Sequence, residues 1–353
     1  MTVIEYSDVS YWMKQLHDLI SPNFMRAEPR QRAWSYMCGL AGGADEAGGS
    51  RRNIASYTNE RRADGAQRLL TMAQWDEDEV RANVLGVAKG YFGLTRGHLY
   101  VTEATFAKKG PSAVAVERQF SVDNRRLENC QIAVLMFYAS AGGALVLIDA
   151  VPYLPSSWLA DPSRRQKASI PPGLSYRSKS QIAASMVERA IESGLEPQQA
   201  FFSLLCQDKL SLRRTLQERQ LPYLISLTPG EFESLSGTEL AGLAPYSSPV
   251  PRPRTFLGNP RLVEQYLAWP PARHLPPYSA YCCAGTRGVA SNAELSRMIF
   301  EMRHMQTRWR SIRSEIRLDH YEVRSWRGWH RHMALTMVVQ TAMELARQAP
   351  AAS

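Results

Sequence analysis

The hydrophobic and polar positions along the chain change rhythm twice. Through Met1–Thr95 apolar residues recur at helical spacing, as in SYWMKQLHDLI and QRAWSYMCGLAGG. Gly42-Gly43 and EAGGSRRN mark a break before DGAQRLLTMAQWDEDEVRANVLGVAKGYFG resumes the helical pattern. The acidic run Asp76–Glu79 suits a helix N-terminus, where the peptide dipoles favour negative charge. From His98 the rhythm shortens. HLYVTEA, AVAVERQFS, CQIAVLMFYAS and GALVLIDAVPYL are short, rich in Val, Ile, Leu and Tyr, and separated by Gly, Asn and Ser. They predict consecutive strands. A helix, SKSQIAASMVERAIESGL, follows with Ser178 or Ser180 as its cap. Then come a strand AFFSLL, a helix LSLRRTLQERQL and a strand PYLISL. Antiparallel strands followed by strand–helix–strand alternation predict an α/β fold with a mixed sheet flanked by helices.

The second change is at Thr228–Val289, rich in Pro, Gly and Ser and expected to be an irregular insertion. Two long helical patterns end the chain: NAELSRMIFEMRHMQTRWRSIRSEI and EVRSWRGWHRHMALTMVVQTAMELARQ. The expected organisation is an N-terminal helical domain at 1–95, a core formed by 96–227 and 290–353, and the insertion at 228–289.

Composition narrows the functional classes. No run of about 18 apolar residues is present, so no membrane span is expected. The first residues lack a basic start followed by an apolar core, which argues against a secretory signal. Five cysteines form no CxxC pair, so a reduced, cytoplasmic protein without a structural zinc site is expected. The net charge of +9 is unevenly placed. Met1–Thr95 carries 11 basic and 12 acidic residues, whereas Pro251–Ser353 carries 15 arginines, no lysine and 7 acids. Guanidinium forks suit phosphate and carboxylate, so a polyanion is the expected partner, a solvated helix face being the plainer reading.

Several segments resemble the DDE transposases of the insertion-sequence 701 family: EPRQRAWSYMCGLAGG, FAKKGPSAVAVERQFS, RLENCQIAVLMFYAS, LIDAVPYLPSSWLADPSRRQ, LRRTLQERQLPYLISL and LDHYEVRSWRGWHRHMALTM. The resemblance spans most of Met25–Met343 and is weakest in Thr228–Val289. It implies a ribonuclease-H-like mixed sheet flanked by helices. It also implies a triad of carboxylates holding two Mg²⁺ ions for in-line displacement at a phosphodiester.

Carried onto this chain residue by residue, that triad is degenerate. The family's first-strand pattern of Asp, a second acid and Thr-Gly-Phe reads here Thr102, Glu103, Ala104, Thr105, Phe106. The first catalytic position is therefore Thr102, and strand alternation points Glu103 to the opposite face. Counting back from LRRTL puts the second position at Ser203, and the third acid is assigned to Glu322. A register slip that lets Glu103 replace the first Asp is the rival reading. Neutral hydroxyls do not offset two divalent cations, so Mg²⁺ is expected only if the triad works, and no other cofactor is expected.

The expected function is a transposase-related, non-cleaving DNA-binding protein. Lys108, Lys109, Arg308, Arg310, Arg313, Arg317, Arg324, Arg327 and Arg331 are its candidate phosphate contacts. Trp309, Trp326 and Trp329 read as core rather than as base-stacking platforms, and His332 reads as a buried hydrogen-bonding histidine. One alternative is a repurposed enzyme acting on a small anionic substrate in the cleft around Thr102, Glu103, Ser203 and Glu322. Another is an active transposase with an unusual triad. A homodimer is compatible with the sequence.

Overall fold

The computed structural model describes residues 6–42, 64–204, 206, 209–228, 231, 252–254, 262–269, 279–285, 291–319, 321 and 323–348. Four helices come first: α1 (Tyr6–Ile20), α2 (Ala27–Leu40), α3 (Asp64–Thr71) and α4 (Glu77–Phe92). Asp76 caps α4 by accepting from the backbone N–H of Asp78 at 2.8 Å and of Glu79 at 3.2 Å, which accounts for the acidic run.

Strands β1 (His98–Ala107), β2 (Glu117–Ser121), β3 (Arg126–Ala139) and β4 (Leu145–Pro152) follow. Their pairings are antiparallel, with β1 against one edge of β3, and β2 and β4 against the other. Two short helices, α5 (Ser156–Ala160) and α6 (Pro162–Lys167), lead to α7 (Lys179–Glu192), β5 (Gln199–Ser203), α8 (Leu210–Glu218) and β6 (Tyr223–Leu227). Of the two candidate caps of α7, Ser178 fills the role in a reciprocal capping box with Gln181. Strand β5 runs parallel to both β1 and β6. This is a mixed sheet flanked by helices with helices preceding it, consistent with a ribonuclease-H-like fold.

The insertion departs from expectation. Its described residues include β7 (Arg252–Arg254), β8 (Val263–Trp269) and β9 (Ser279–Gly285), which extend the sheet antiparallel beyond β6. The full order is β2-β3-β1-β5-β6-β9-β8-β7, with β4 also on β3, nine strands in all among the described residues. The Pro-rich stretches at 244–253 and 270–277 hid the short apolar runs between and after them.

Two long helices complete the described fold, α9 (Asn292–Glu315), capped by Ser291, and α10 (Trp326–Gln348). Helix α10 is buried from Trp329 except for His330, through to Ala346, because it packs on α1, α2, α3, α4 and β4 together. Two of its buried polar side chains reach the edge of β4. Gln340 accepts from the Leu147 N–H at 2.8 Å and donates to the Leu145 carbonyl at 2.7 Å. Glu344 accepts from the Leu145 N–H at 3.1 Å and from Arg308 of α9 at 2.9 and 3.0 Å. An amide and a carboxylate thereby satisfy Leu145 and Leu147 on the β4 edge, which no further strand covers among the described residues.

His332 is fully buried and its Nδ1 lies 2.8 Å from the Tyr36 hydroxyl of α2. Its ring stacks on Tyr321 at 4.5 Å. Burial, helped by the Lys108 charge, pushes its pKa down from 6.5 to about 3, and partial burial beside Arg81 does the same to His330. The native state thus binds fewer protons than the unfolded chain between those two values. Stability is full above about pH 6.5 and falls as the pH drops towards 3, by about 1.4 kcal/mol per pH unit for each histidine. Chemical denaturation at pH 7.5, 6.0 and 5.0 should show this decline. His332→Asn, whose Oδ1 can still accept from Tyr36, should flatten it, and an unchanged slope would show that His332 titrates normally.

Candidate functional site

Strand β1 is buried along its length, so its two faces carry different environments. Tyr100, Thr102 and Phe106 face α9 and the segment after it. Tyr100 packs on Phe137, which packs on Trp309 of α9, and Phe106 meets Tyr321 at 5.4 Å. Glu103 lies on the other face, 4 % exposed, and accepts a hydrogen bond from Lys179 at the start of α7. The alternation expected for Thr102 and Glu103 is what the strand adopts.

The parallel register sets Thr102 directly beside Ser203 of β5. The Thr102 hydroxyl approaches the Ser203 carbonyl at 3.5 Å, and the Ser203 hydroxyl accepts from Nε2 of Gln306 on α9 at 2.9 Å. The Tyr100 hydroxyl lies beside Thr102 and Ser203 but makes no hydrogen bond of normal geometry, although the side chain is fully buried. Burial raises its pKa, with the two hydroxyls and the Arg310 charge acting in the opposite direction, so the phenol stays protonated. Thr102, Ser203, Gln306 and Tyr100 thus form one neutral polar cluster at the β1–β5 seam, roofed by α9. Gln306 was not singled out by the sequence. The available signal was its place as a polar residue among Met302, Met305, Trp309 and Ile312, which form the buried face of α9.

Glu322 and His320 lie outside the described residues. Tyr321, the neighbour of both, packs on Phe106 and receives a hydrogen bond from Lys108 to its carbonyl at 3.1 Å. That places Tyr321 four to six residues further along β1 than Thr102, a separation of about 13 Å or more.

The candidate phosphate contacts divide into two groups. Four are held by partners inside the fold. Arg313 pairs with Asp123 at 2.6 Å and Asp319 at 2.8 Å and donates to the Thr105 carbonyl. Arg331, 2 % exposed, pairs with Glu77 at 3.2 Å and donates to the Trp75 carbonyl at 2.6 Å. Arg308 is held by Glu344 and the Gly143 carbonyl. Lys108 lies 3.6 Å from the Tyr321 ring centre. In each case a carboxylate, a carbonyl or an aromatic face already compensates the cation. Arg317 lies over Gly42. Lys109, Arg310, Arg324 and Arg327 are exposed. Trp309 and Trp329 are buried and Trp326 is half-buried, in keeping with a core role.

The Cys206 thiol follows the Ser203 end of β5. Burial pushes its pKa up to about 11 against the lowering charges of Lys209 and Lys179, so it stays protonated near neutrality. A separate cavity of about 340 Å³ lies at the start of β1, bounded by His98, Phe300, Glu301, His304 and Arg308.

Residues 20–270 match the family model described as DDE superfamily endonuclease. The chain belongs to this superfamily. Comparison with curated proteins gives no match. The matched span includes the β1–β5 seam, while α9 and α10 lie beyond it. DDE endonuclease domains generally work through divalent metal ions held by carboxylates. Among the described residues, the donor set at the seam is three hydroxyls, of Tyr100, Thr102 and Ser203, and one carboxamide, of Gln306. Such neutral donors do not fit a pair of divalent cations, which need hard anionic oxygens. Among the described residues, no group of three His, Cys, Asp or Glu side chains stands in metal-binding geometry. No helix among them is long and apolar enough to cross a membrane.

Glu103 and Lys179 test the division between the two faces of β1. Removing one partner of a buried pair strands the other charge, at a cost of about 3–5 kcal/mol. Glu103→Gln and Lys179→Met should each lose roughly that much in urea denaturation, and the double substitution Glu103→Leu/Lys179→Met less than their sum. Single variants as stable as the parent would mean that Glu103 is not committed to Lys179.

Proposed function

We propose that this DDE-superfamily protein is a transposase relative that binds DNA and does not cut it. The observation that carries the reading is the neutral cluster at the β1–β5 seam. A two-metal phosphoryl-transfer site needs carboxylates from two neighbouring parallel strands and from a helix across them. In our reading Thr102 and Ser203 stand at the two strand places, and Gln306 of α9 reaches across to Ser203. Gln306 matches glutamate in shape, lacks its charge and adds a third neutral side chain to the seam, while Glu322, the third position that the resemblance implies, lies outside the described residues. The narrower affiliation with the insertion-sequence 701 transposases rests on the segments quoted above and shares this conclusion.

The exposed cations Lys109, Arg310, Arg324 and Arg327 supply the affinity in this reading. Phosphate neutralisation releases counterions, so binding must weaken steeply with salt. Neither competing function finds support at the seam. A repurposed hydrolase or transferase needs an activated nucleophile or a tuned base. The Tyr100 phenol and the Cys206 thiol, both pushed up by burial, supply neither. An active transposase needs Glu103 as a ligand, yet Glu103 faces Lys179.

The purified protein should bind a labelled random duplex in anisotropy titrations, with affinity falling as salt rises, unchanged by Mg²⁺ and without nicking. The triple substitution Thr102→Asp/Ser203→Asp/Gln306→Glu should acquire a Mg²⁺- or Mn²⁺-dependent rise in Tm that the parent lacks. Absence of binding at low salt would remove the DNA reading. Nicking by the parent in Mg²⁺ would remove the non-cleaving one.

A further inference from the structure

The arginines of α9 are unequal. Arg308 and Arg313 are paired with carboxylates, whereas Arg303 and Arg310 make no ion pair among the described residues. These two flank Gln306. The spacing 303, 306, 310 puts all three side chains on one stripe of the helix, within neighbouring turns. Arg310 is exposed, while Nε and Nη2 of Arg303 are buried and lack any hydrogen-bond partner. A buried guanidinium nitrogen without an acceptor is costly, and so is the buried, unpartnered hydroxyl of Tyr100 beneath the same stripe. All the unmet groups are donors. The polar floor around them, Thr102, Ser203 and Gln306, carries no charge.

In a site with three carboxylates, an incoming phosphate is repelled unless metal ions stand between the two sets of negative charge. Removing the carboxylates removes both the metal and the repulsion. What is left is an unpaired cationic stripe over neutral hydrogen-bonding groups, which complements an anion directly. We propose that the seam between β1, β5 and α9 is a metal-independent phosphate site. Arg303 and Arg310 supply the charge and Gln306 and Ser203 the hydrogen bonds, and the site takes a backbone phosphodiester of DNA. The proposal rests on the DNA-binding reading and goes further, because it puts a nucleic-acid contact inside the former catalytic cleft.

The test is a set of duplex titrations by anisotropy in EDTA at one low salt concentration. Gln306→Glu and Ser203→Asp each place a carboxylate in the site and should weaken binding by about tenfold, as a repulsive charge a few ångströms from a phosphate requires. His304→Glu adds a carboxylate at an exposed position on the opposite side of the same helix from Gln306, and should weaken binding much less. Arg310→Gln, at an exposed position that leaves the core intact, should also weaken binding and reduce the salt slope by about one. If the parent binds DNA while Gln306→Glu and Ser203→Asp match His304→Glu, the phosphate site is overturned and the DNA-binding reading survives. If the parent binds no duplex, the DNA reading fails, and thermal shift with inorganic phosphate decides the site. A rise in Tm that Arg310→Gln abolishes retains it for a small phosphorylated ligand, and no rise overturns it.

Discussion

The bare edge of β4 is the constraint on which the rest of the structure turns. An uncovered strand edge exposes backbone donors and acceptors that must be satisfied or left in water. Here helix α10 does it with side chains. Gln340 makes the two hydrogen bonds that a neighbouring strand would make, and Glu344 takes a third. Because α10 must lie against β4 at one height to do this, its other faces receive α1 to α4 in a set position. Glu344, buried among apolar residues, then needs cationic compensation, which Arg308 and Arg347 provide. Arg308 sits two residues from Gln306 on α9. The same ion pair that neutralises Glu344 therefore helps hold Gln306 at hydrogen-bonding distance from Ser203. Edge satisfaction, helix burial and the geometry of the candidate site form one chain of dependence.

The arginine excess of the C-terminal third has two uses that composition cannot separate. Arg308, Arg313, Arg331 and Arg347 join elements distant in sequence, each through a carboxylate. Arginine suits such joints because one planar fork can satisfy a carboxylate and a carbonyl together, as Arg313 does with Asp319 and Thr105. Counted as a surface, the charge of this region is therefore smaller than its sequence suggests. Among the described residues, Arg303 and Arg310 on one stripe of α9 and Arg324 and Arg327 around the start of α10 take no part in these joints.

How much of this was legible in the sequence depended on burial. The core strands were readable because β1, β3 and β4 are apolar on both faces and bounded by turn residues. Ser178 and Asp76 were readable because caps are local. Strands β7 to β9 were not, since proline-rich stretches beside them carried the stronger local signal, and their pairing depends on the distant edge of β6. Thr102 and Ser203 could be placed from neighbouring motifs. Gln306 could not, because a glutamine on a helix carries no chemical flag until the strands it crosses are known. Which arginines were free was likewise invisible, since Asp123, Glu77 and Glu344 lie far from their partners in sequence.

The remaining question about the cleft is whether Glu103 could enter it. Its side chain would have to cross from one face of β1 to the other, which in a strand means a one-residue shift of register. Such a shift moves every side chain of β1 at once. Tyr100 and Phe106 would leave the aromatic contacts with Phe137 and Tyr321. Thr105 would lose its backbone hydrogen bond to Asp123 at 2.8 Å, and with it one anchor of Arg313. Lys179 would be left buried without its carboxylate. Three independent penalties oppose a gain of one ligand, and Ser203 and Gln306 would still be neutral. The arrangement that keeps Glu103 on Lys179 is thus the one that keeps its charge out of the cleft, and among the described residues the seam offers an anion neutral donors beneath arginines that make no ion pair.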